Sequence, residues 1–536
     1  MDREALRSVE AATLFLDSKV DEDAERVLTM IIGLVNDVFG ERLSLTSFEQ
    51  AATLTNAASV LINAGNRASD LEALQTGEDW MANVVESGLL VGSRFESAAI
   101  YNLANSRLGI TDLNVRRAWR EASEDQRAAA CAEVRLADRE RLRQARQELS
   151  RAASLTQDAR ERGMRLCNLA NTFDYSGRWV EAYDAYVGAL DADPSNGNAA
   201  GNVAVLIERV ISAGWDFEGH LCALYDHYLT LAQDNRAGTV SVAGEGAAAR
   251  FDSMELLGSD EPLTAPFDEA DPYQAWVSQH RLALVAALEG LGSDAHAGRW
   301  DTITLRTVTD SSSSHQAPAI FAILNVLKAD YLVARRLAFE ADQLIEETGC
   351  WSQQDEDPGV YTETLNYAVY GEVSSKLVLA HRAALDVLDK TAVAVNEHLQ
   401  VGDDPTKVSF RRFWFEDKQR TKLRAALVQH EGLSSAILSM AELAIDMAPE
   451  SLYGHAQDVR NAGTHRFVLV HRDFRELDST ATMKAMTLAG MRTTCIQSLT
   501  VARAAFLYLV ALLEVFEAGK ARADGITVPL YLPTTY

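Results

Sequence analysis

Toward its C-terminal end the chain reads VRNAGTH, residues 459–465. The order is Arg460, the polar Asn461, three residues and then His465, with Gly463 where a helix bends or ends. An imidazole titrates near neutrality and can take or give a proton, and a guanidinium keeps its charge and can stabilise a developing anion. A second pair, Arg466 and His471 in RFVLVH, follows at once, but Phe467 stands where the polar residue would be. A bare Arg-x4-His pair arises on the order of once by chance in a chain with this many arginines and histidines, so the spacing needs support from its surroundings. Taken alone, His465 is an ordinary helix-end surface histidine.

A second group of residues lies some forty positions upstream. SFRRFWFEDKQRTKLR, residues 409–424, sets six basic residues against two acids and interleaves them with Phe410, Phe413, Trp414 and Phe415. Arg411, Arg412 and Trp414 are the residues expected to meet single-stranded RNA, the arginines on phosphate and the indole in a base stack. The competing arrangement buries the aromatics and leaves the basic residues on the surface. His471-Arg472-Asp473-Phe474 looks like a kinase catalytic loop, but it lacks the following Asn, the Gly-rich loop and the strand lysine. There is no Walker loop, GxGxxG, HExxH or GxSxG. Cys131, Cys167, Cys222, Cys350 and Cys495 are far apart, odd in number and form no metal-ligand spacing, so they read as buried thiols. No metal and no cofactor is expected.

The elements that must hold these residues are helices. At 536 residues the chain is long enough for three or four domains with a large core. Hydrophobic residues make up 47% and charged residues 24%, which is globular composition, and 10 prolines among abundant Ala, Leu, Glu and Arg favour helix throughout. Strands are hard to find. Lys plus Arg is 50 against 77 Asp plus Glu, a net charge of −27, so any affinity for nucleic acid must come from a local basic groove. The opening MDREALRSVEAATLFLD has no secretory pattern, and the apolar stretch 504–516 is too short to span a bilayer. A cytoplasmic protein that makes no membrane contact is expected.

Along the chain, residues 1–155 read as successive amphipathic helices, Ala24–Val38 and Ala51–Ile62 among them. The Arg-rich run Arg116–Arg165 has acids interleaved and reads as solvated helix with ion pairs one turn apart, the alternative being a stripe that meets nucleic acid. Gly163–Asn196 follows the 34-residue tetratricopeptide pattern. Leu166, Leu169, Ala170, Phe173, Gly177, Trp179, Ala182, Tyr186, Ala189, Leu190 and Pro194 fall at its packing, turn and terminating positions. One repeat cannot bury its own faces, so Asn198–Gln233 and the upstream helices are the degenerate neighbours. Asp234–Pro272 shifts to Gly, Ala, Ser and acid and reads as a joint, and Gly292–Pro318, with the Ser311–Ser314 run, is irregular. Helical pattern then continues almost to the end, with one break near Gly402–Lys407.

Around VRNAGTH, the segments SSKLVLAHRAALDVLDKTAVAVNEHLQVG, VSFRRFWF and SLTVARAAFLYLVALLE resemble the HEPN superfamily of helical domains, in the branch that carries tetratricopeptide repeats ahead of the HEPN domain. The resemblance runs from about residue 160 to 515 and includes YQAWVSQHRLAL and APAIFAILNVLKADYLVARRLAFEA. It implies an all-α chain with four regions. These are a helical N-terminal region with degenerate repeats at 1–155, a repeat region at 156–235, an irregular joint with a helical segment at 236–316, and a HEPN bundle at 317–536. Many proteins of this kind are metal-independent endoribonucleases whose signature is Arg, a polar residue, a short spacer and His. Arg460, Asn461 and His465 fall on it as the implied catalytic residues. The histidine would act on the ribose 2′-OH or the leaving oxygen, the arginine on phosphorane-like charge, and Asn461 would orient the imidazole or hold the phosphate.

In that family the active site forms where two HEPN domains meet, so one motif per chain implies a homodimer or higher oligomer. Glu340 and Glu372 lie in stretches that resemble the family and read as helix-surface residues. RNA is the implied substrate, with a protein trigger or regulator on the repeats and a role in bacterial defence or as a toxin. Two other readings predict different behaviour: a non-catalytic scaffold that binds RNA or a partner, and a plain tetratricopeptide adaptor in which the histidine is incidental.

Overall fold

A computed structural model describes residues 3–40, 43–214, 220–259, 271–285, 287, 300–310, 318–348, 364, 366–429, 433–472, 479–520 and 526–532. Among them the chain is helical nearly throughout. The helices are α1 (Arg3–Asp17), α2 (Ala24–Phe39), α3 (Phe48–Ala68), α4 (Leu71–Glu86), α5 (Arg94–Glu121), α6 (Arg127–Ala137), α7 (Arg139–Leu155), α8 (Ala159–Tyr175), α9 (Trp179–Ala192), α10 (Gly197–Ser212), α11 (His220–Asp234), α12 (Arg236–Ala243), α13 (Glu245–Asp252) and α14 (Pro272–Gln279). After them come α15 (Ala319–Thr348), α16 (Glu372–His398), α17 (Phe410–Phe413), α18 (Ala425–Val428), α19 (Leu433–Asp446), α20 (Gly454–His465) and α21 (Leu488–Lys520). Four short strands join them: β1 (Ile303–Asp310), β2 (Phe467–His471), β3 (Met483–Thr487) and β4 (Ile526–Leu532).

The chain divides into two compact units that interleave in sequence. The first comprises Met1–Phe173, Ala185–Val203 and Leu231–Met254. Its helices pack on their sequence neighbours, α2 on α3, α3 on α4 and α4 on α5, around a core that includes Ile31, Leu54, Leu61, Leu74 and Met81. Helix starts are fixed by side-chain caps. Ser47 accepts from the Gln50 N–H at 3.3 Å, and the Gln50 side chain accepts from the Thr46 N–H at 2.7 Å, two otherwise orphaned donors satisfied together.

The Arg-rich run is divided among α5, α6, α7 and α8 and is not one solvated rod. The expected ion pairs are present, Arg116 with Asp112 and Arg165 with Glu161, yet Arg135, Arg146 and Arg165 are buried. Between α8 and α9 the backbone turns at Gly177, at φ +75°. Within the first unit α8 lies close along the second half of α9. A Cβ on Gly163 would stand 3.0 Å from the Ala189 carbonyl oxygen, and the Tyr186 hydroxyl donates to Asn171 at 2.7 Å.

Asp174–Asp184, Ala204–Thr230 and Glu255–Tyr536 form the second unit. Its core is α21, 33 residues long, with α15, α16 and α19 packed against it. The apolar segment is therefore longer than the 13 or so residues expected from sequence. By length and composition α21 matches a membrane span, but 83% of its most apolar stretch is buried inside the fold, which is the physical reason for that composition. Arg178, Glu181, Asp446, Tyr453 and Tyr508 form a buried polar network against the interior of α21, which contributes Tyr508. Arg178 bonds Asp446 at 2.5 Å and Glu181 at 2.7 Å, and both tyrosine hydroxyls reach Glu181.

Two details are added to the expectations for the chain after Asp234. The Gly- and Ala-rich stretch read as a joint contains helix, and the boundary between the two units, Met254–Glu255, falls within it. GTVSVA and EGAAARFD lie in α12 and α13, which meet at Gly244 at φ +81°, because alanine stabilises helix wherever glycine does not interrupt it, and the chain leaves helix again after Asp252. The C-terminal half is not purely helical: β2 pairs in parallel with β3, and β1 pairs antiparallel with β4. Val470 and Met486 are buried in the first of these pairs. Ser311–Ser314, Cys350, Asp473 and Phe474 lie outside the described residues.

Candidate active site

VRNAGTH lies on α20. This helix starts directly after the turn Met447–Tyr453, where Gly454 passes so close to the Ala448 carbonyl that a Cβ would collide with it. Ala456, Val459 and Ala462, spaced three apart, are buried, and Gly463 faces α16, where a Cβ would stand 3.3 Å from Arg382 Cδ and 3.5 Å from Val378 Cγ1. Gly463 does not break the helix, which runs on to His465. Burying that face turns Gln457, Arg460, Asn461, Thr464 and His465 outward in varying degree.

Arg460 is half-buried and doubly paired. Its Nη2 donates to Asp386 at 2.6 Å and to Asp389 at 2.8 Å, two carboxylates one turn apart on α16. Burial works against the charge, but Asp389 and then Asp386 outweigh it and hold the guanidinium pKa above its ordinary value. The other Asp389 oxygen accepts from the Phe410 backbone N–H at 2.8 Å, at the start of α17. Asn461 is exposed and accepts from the Gln457 amide at 3.1 Å. His465, the last residue of α20, is exposed and makes no side-chain hydrogen bond among the described residues.

Beside Arg460 opens a polar cleft of about 280 Å³. Arg411, Arg412, Arg420 and Asn461 line it together with Arg460 and Asp389. The fold thus brings Arg460 and Asn461 to the same cleft as Arg411 and Arg412. His465 is not among its lining residues. Burial, and then neighbouring Arg412, push the Arg411 guanidinium below its usual pKa, and its Nε is buried without a hydrogen-bond partner among the described residues.

Trp414 does not serve as a stacking platform. It is 0% exposed, and Phe410, Phe413 and Phe415 are buried with it, its ring edge-to-face with Phe410 at 5.6 Å and Phe413 at 5.1 Å. The short α17 packs on α16 and α19, and the apolar side chains of this segment anchor it there. Arg411 and Arg412 remain available to a ligand, and the indole does not.

The other singled-out residues have structural partners. Glu340 and Glu372 both pair with Lys376. Arg466 pairs with Asp458, and His471 is buried in β2 with its Nδ1 on the Arg472 carbonyl at 2.9 Å. Cys167 and Cys495 are buried and burial raises both thiols, Cys167 to about 12, whereas Cys131 and Cys222 are half-buried. Sequence reasoning passed over Asp386, Asp389, Arg420 and His381. The signal for the first two was present: acids three apart in the apolar run ALDVLDK, on one helix face. His381 lies buried on α16, its Nδ1 2.8 Å from Ser498 Oγ, and burial lowers its pKa to about 4.

Residues 311–515 match the family model described as LA2681-like HEPN. No curated protein matches the chain. The C-terminal part of the chain therefore carries a HEPN domain, which points to a nuclease-type or RNA-related function, and the helical N-terminal region is consistent with repeats.

Proposed function

Because the segment that carries Arg460, Asn461 and His465 belongs to a HEPN domain, a kind that is generally ribonucleolytic, we propose that the protein is a metal-independent endoribonuclease acting as a homodimer or higher oligomer. The observation that carries the reading is the shared cleft: Arg460 and Asn461 open onto the same polar space as Arg411 and Arg412.

His465 takes the proton from a ribose 2′-OH or returns one to the leaving oxygen, and its exposure leaves it accessible to substrate. Arg460 stabilises the charge that builds on phosphorus as the 2′-oxygen attacks, and Asn461 orients the imidazole or the phosphate. Arg411 and Arg412 hold neighbouring phosphates. One histidine cannot be general base and general acid in the same step, so a second copy of the motif from a partner protomer completes the site. The helical N-terminal region, with its tetratricopeptide-like pair, binds the trigger or regulator that restrains a potentially toxic activity, in keeping with a bacterial defence or toxin role.

The test is cleavage of RNA in the presence of EDTA by wild type, Arg460→Ala and His465→Ala. Cleavage by wild type alone, leaving 2′,3′-cyclic phosphate or 3′-phosphate ends, supports the reading; equal cleavage by the variants sinks the site assignment. One observation favours a second reading, a HEPN scaffold that binds RNA or a partner without cutting. Arg460 is already neutralised by two carboxylates. That reading expects RNA binding with no cleavage at any protein concentration.

A further inference from the structure

The withdrawal of four aromatic side chains from the 409–424 segment changes what that segment offers a nucleic acid. Base stacking needs an exposed ring, and Phe410, Phe413, Trp414 and Phe415 are all buried. What faces the cleft is guanidinium: Arg411, Arg412 and Arg420, beside Arg460. We propose that Arg411, Arg412 and Arg420 form a phosphate track for single-stranded RNA that reads the backbone and is indifferent to the bases. The proposal rests on RNA being the ligand of the HEPN domain and adds how it is recognised.

Three observations carry it. Arg411 and Arg412 sit side by side at the cleft, Arg411 half desolvated and its buried Nε without a hydrogen-bond partner among the described residues, and two adjacent guanidinium charges at one cleft favour an anion there. Arg420 adopts φ +61°, a left-handed conformation uncommon outside glycine, at a turn pinned by Asp417, whose carboxylate accepts from the Thr421 N–H at 3.1 Å. Asp389 holds both Arg460 and the Phe410 N–H, so the residue next to Arg411 is fixed to the same carboxylate as the motif arginine. The track therefore begins beside Arg460. A chain of net charge −27 has no general attraction for RNA, so this local cluster must provide it.

The experiment measures binding of full-length protein to fluorescein-labelled, 2′-O-methylated octamers of uridine, adenosine and cytidine by anisotropy across a salt series. Affinities agreeing within about fivefold are expected, because phosphates and not base faces decide them. Arg412→Glu should weaken all three by about tenfold or more and reduce the salt slope by about 0.7 for each phosphate it no longer neutralises. Arg412→Ala, at the same exposed position, should act in the same direction to a smaller extent.

Four results overturn the proposal. One is a base preference beyond about fivefold, and another is unchanged affinity in both Arg412 variants. The others are failure of the wild type to bind any octamer, and displacement of the octamer by uridine monophosphate at equal concentration. Binding without cleavage in the EDTA assay would remove the ribonuclease reading and leave the track standing. Cleavage with a strong base preference would do the reverse.

Discussion

Asp389 divides its carboxylate between two partners: one oxygen accepts from the Arg460 guanidinium at 2.8 Å, the other from the backbone N–H of Phe410 at 2.8 Å. A single side chain on α16 thus ties the motif helix α20 to the arginine-bearing corner at 409–412. Asp386, the other partner of Arg460, is exposed and makes no such second bond among the described residues, so it can yield its place to a phosphate. Both carboxylates engage Nη2 of Arg460, so a phosphate in the cleft competes with them for the charge of the guanidinium.

Asp389→Asn keeps the shape of the side chain and removes the charge that holds Arg460. Under the proposed function it should lower kcat by about tenfold to a hundredfold while leaving KM within about twofold, since it shifts the arginine proposed to meet the transition state. Asp386→Asn is the comparison. It should change stability by less than ~1 kcal/mol, as expected for a pair open to solvent, and leave kcat no lower than wild type. Steady-state kinetics and thermal unfolding of both variants check this, and a kcat for Asp389→Asn equal to wild type refutes it.

The buried network around Tyr508 of α21 should dominate the stability of the second unit. Arg178 is fully buried between Glu181 and Asp446, and although burial opposes its charge these two carboxylates raise its pKa well above the ordinary value. Arg178→Ala leaves two buried carboxylates without their cation and should cost about 3–5 kcal/mol. Tyr453→Phe removes only the hydroxyl that bonds Glu181 at 2.5 Å and should cost about 1–3 kcal/mol. Denaturant unfolding gives both values; a smaller effect of Arg178→Ala than of Tyr453→Phe would contradict the network.

The helices and the face of α20 that packs inward are legible in the sequence because both depend on local spacing. Ala456, Val459 and Ala462 repeat at helical intervals, and Ala170 of α8 and Ala182 and Tyr186 of α9 are buried. What is not legible depends on partners distant in sequence. Asp386 and Asp389 meet Arg460 across 74 and 71 residues, and Asp446 meets Arg178 across 268. Composition does not tell whether Trp414 faces a ligand or the core, since an aromatic beside arginines satisfies either arrangement. The strands of the β2–β3 pair are hidden because FVLVH and MKAMT are five residues each, and five residues fit a helical or an extended pattern equally well.

Gly454 should be the most sensitive glycine of the motif helix. A methyl at this position would run into the Ala448 carbonyl oxygen and stand 3.1 Å from Pro449 Cα, and backbone atoms cannot swing aside as a side chain can. Gly454→Ala should cost about 1–3 kcal/mol and move the start of α20, and with it the proposed RNA cleavage should fall. Gly463→Ala is the control on the same helix, because its nearest neighbour at 3.3 Å is the flexible Arg382 side chain. Alanine also favours helix over glycine, so this variant should stay within about 1 kcal/mol of wild type. Unfolding midpoints read the difference directly, and equal destabilisation by the two substitutions would contradict the close approach at Gly454.

His381 gives the second unit a dependence on pH whose direction is fixed by its surroundings. It is buried between α16 and α21, burial is the main cause of its pKa of about 4, and nearby His455 and Arg460 push the same way. In the unfolded chain a histidine titrates near 6.5, so below that pH the unfolded state takes up a proton that the folded state refuses. The stability that the neutral imidazole confers is therefore complete above about pH 6.5 and declines progressively as the pH falls to about 4, a total of about 3 kcal/mol. His381→Leu removes the titrating group, and Ser498 keeps its bond to the Thr494 carbonyl at 2.8 Å. Urea midpoints measured from pH 7.5 down to pH 4.5 should fall less steeply in the variant than in wild type, and parallel curves would show that His381 does not carry this dependence.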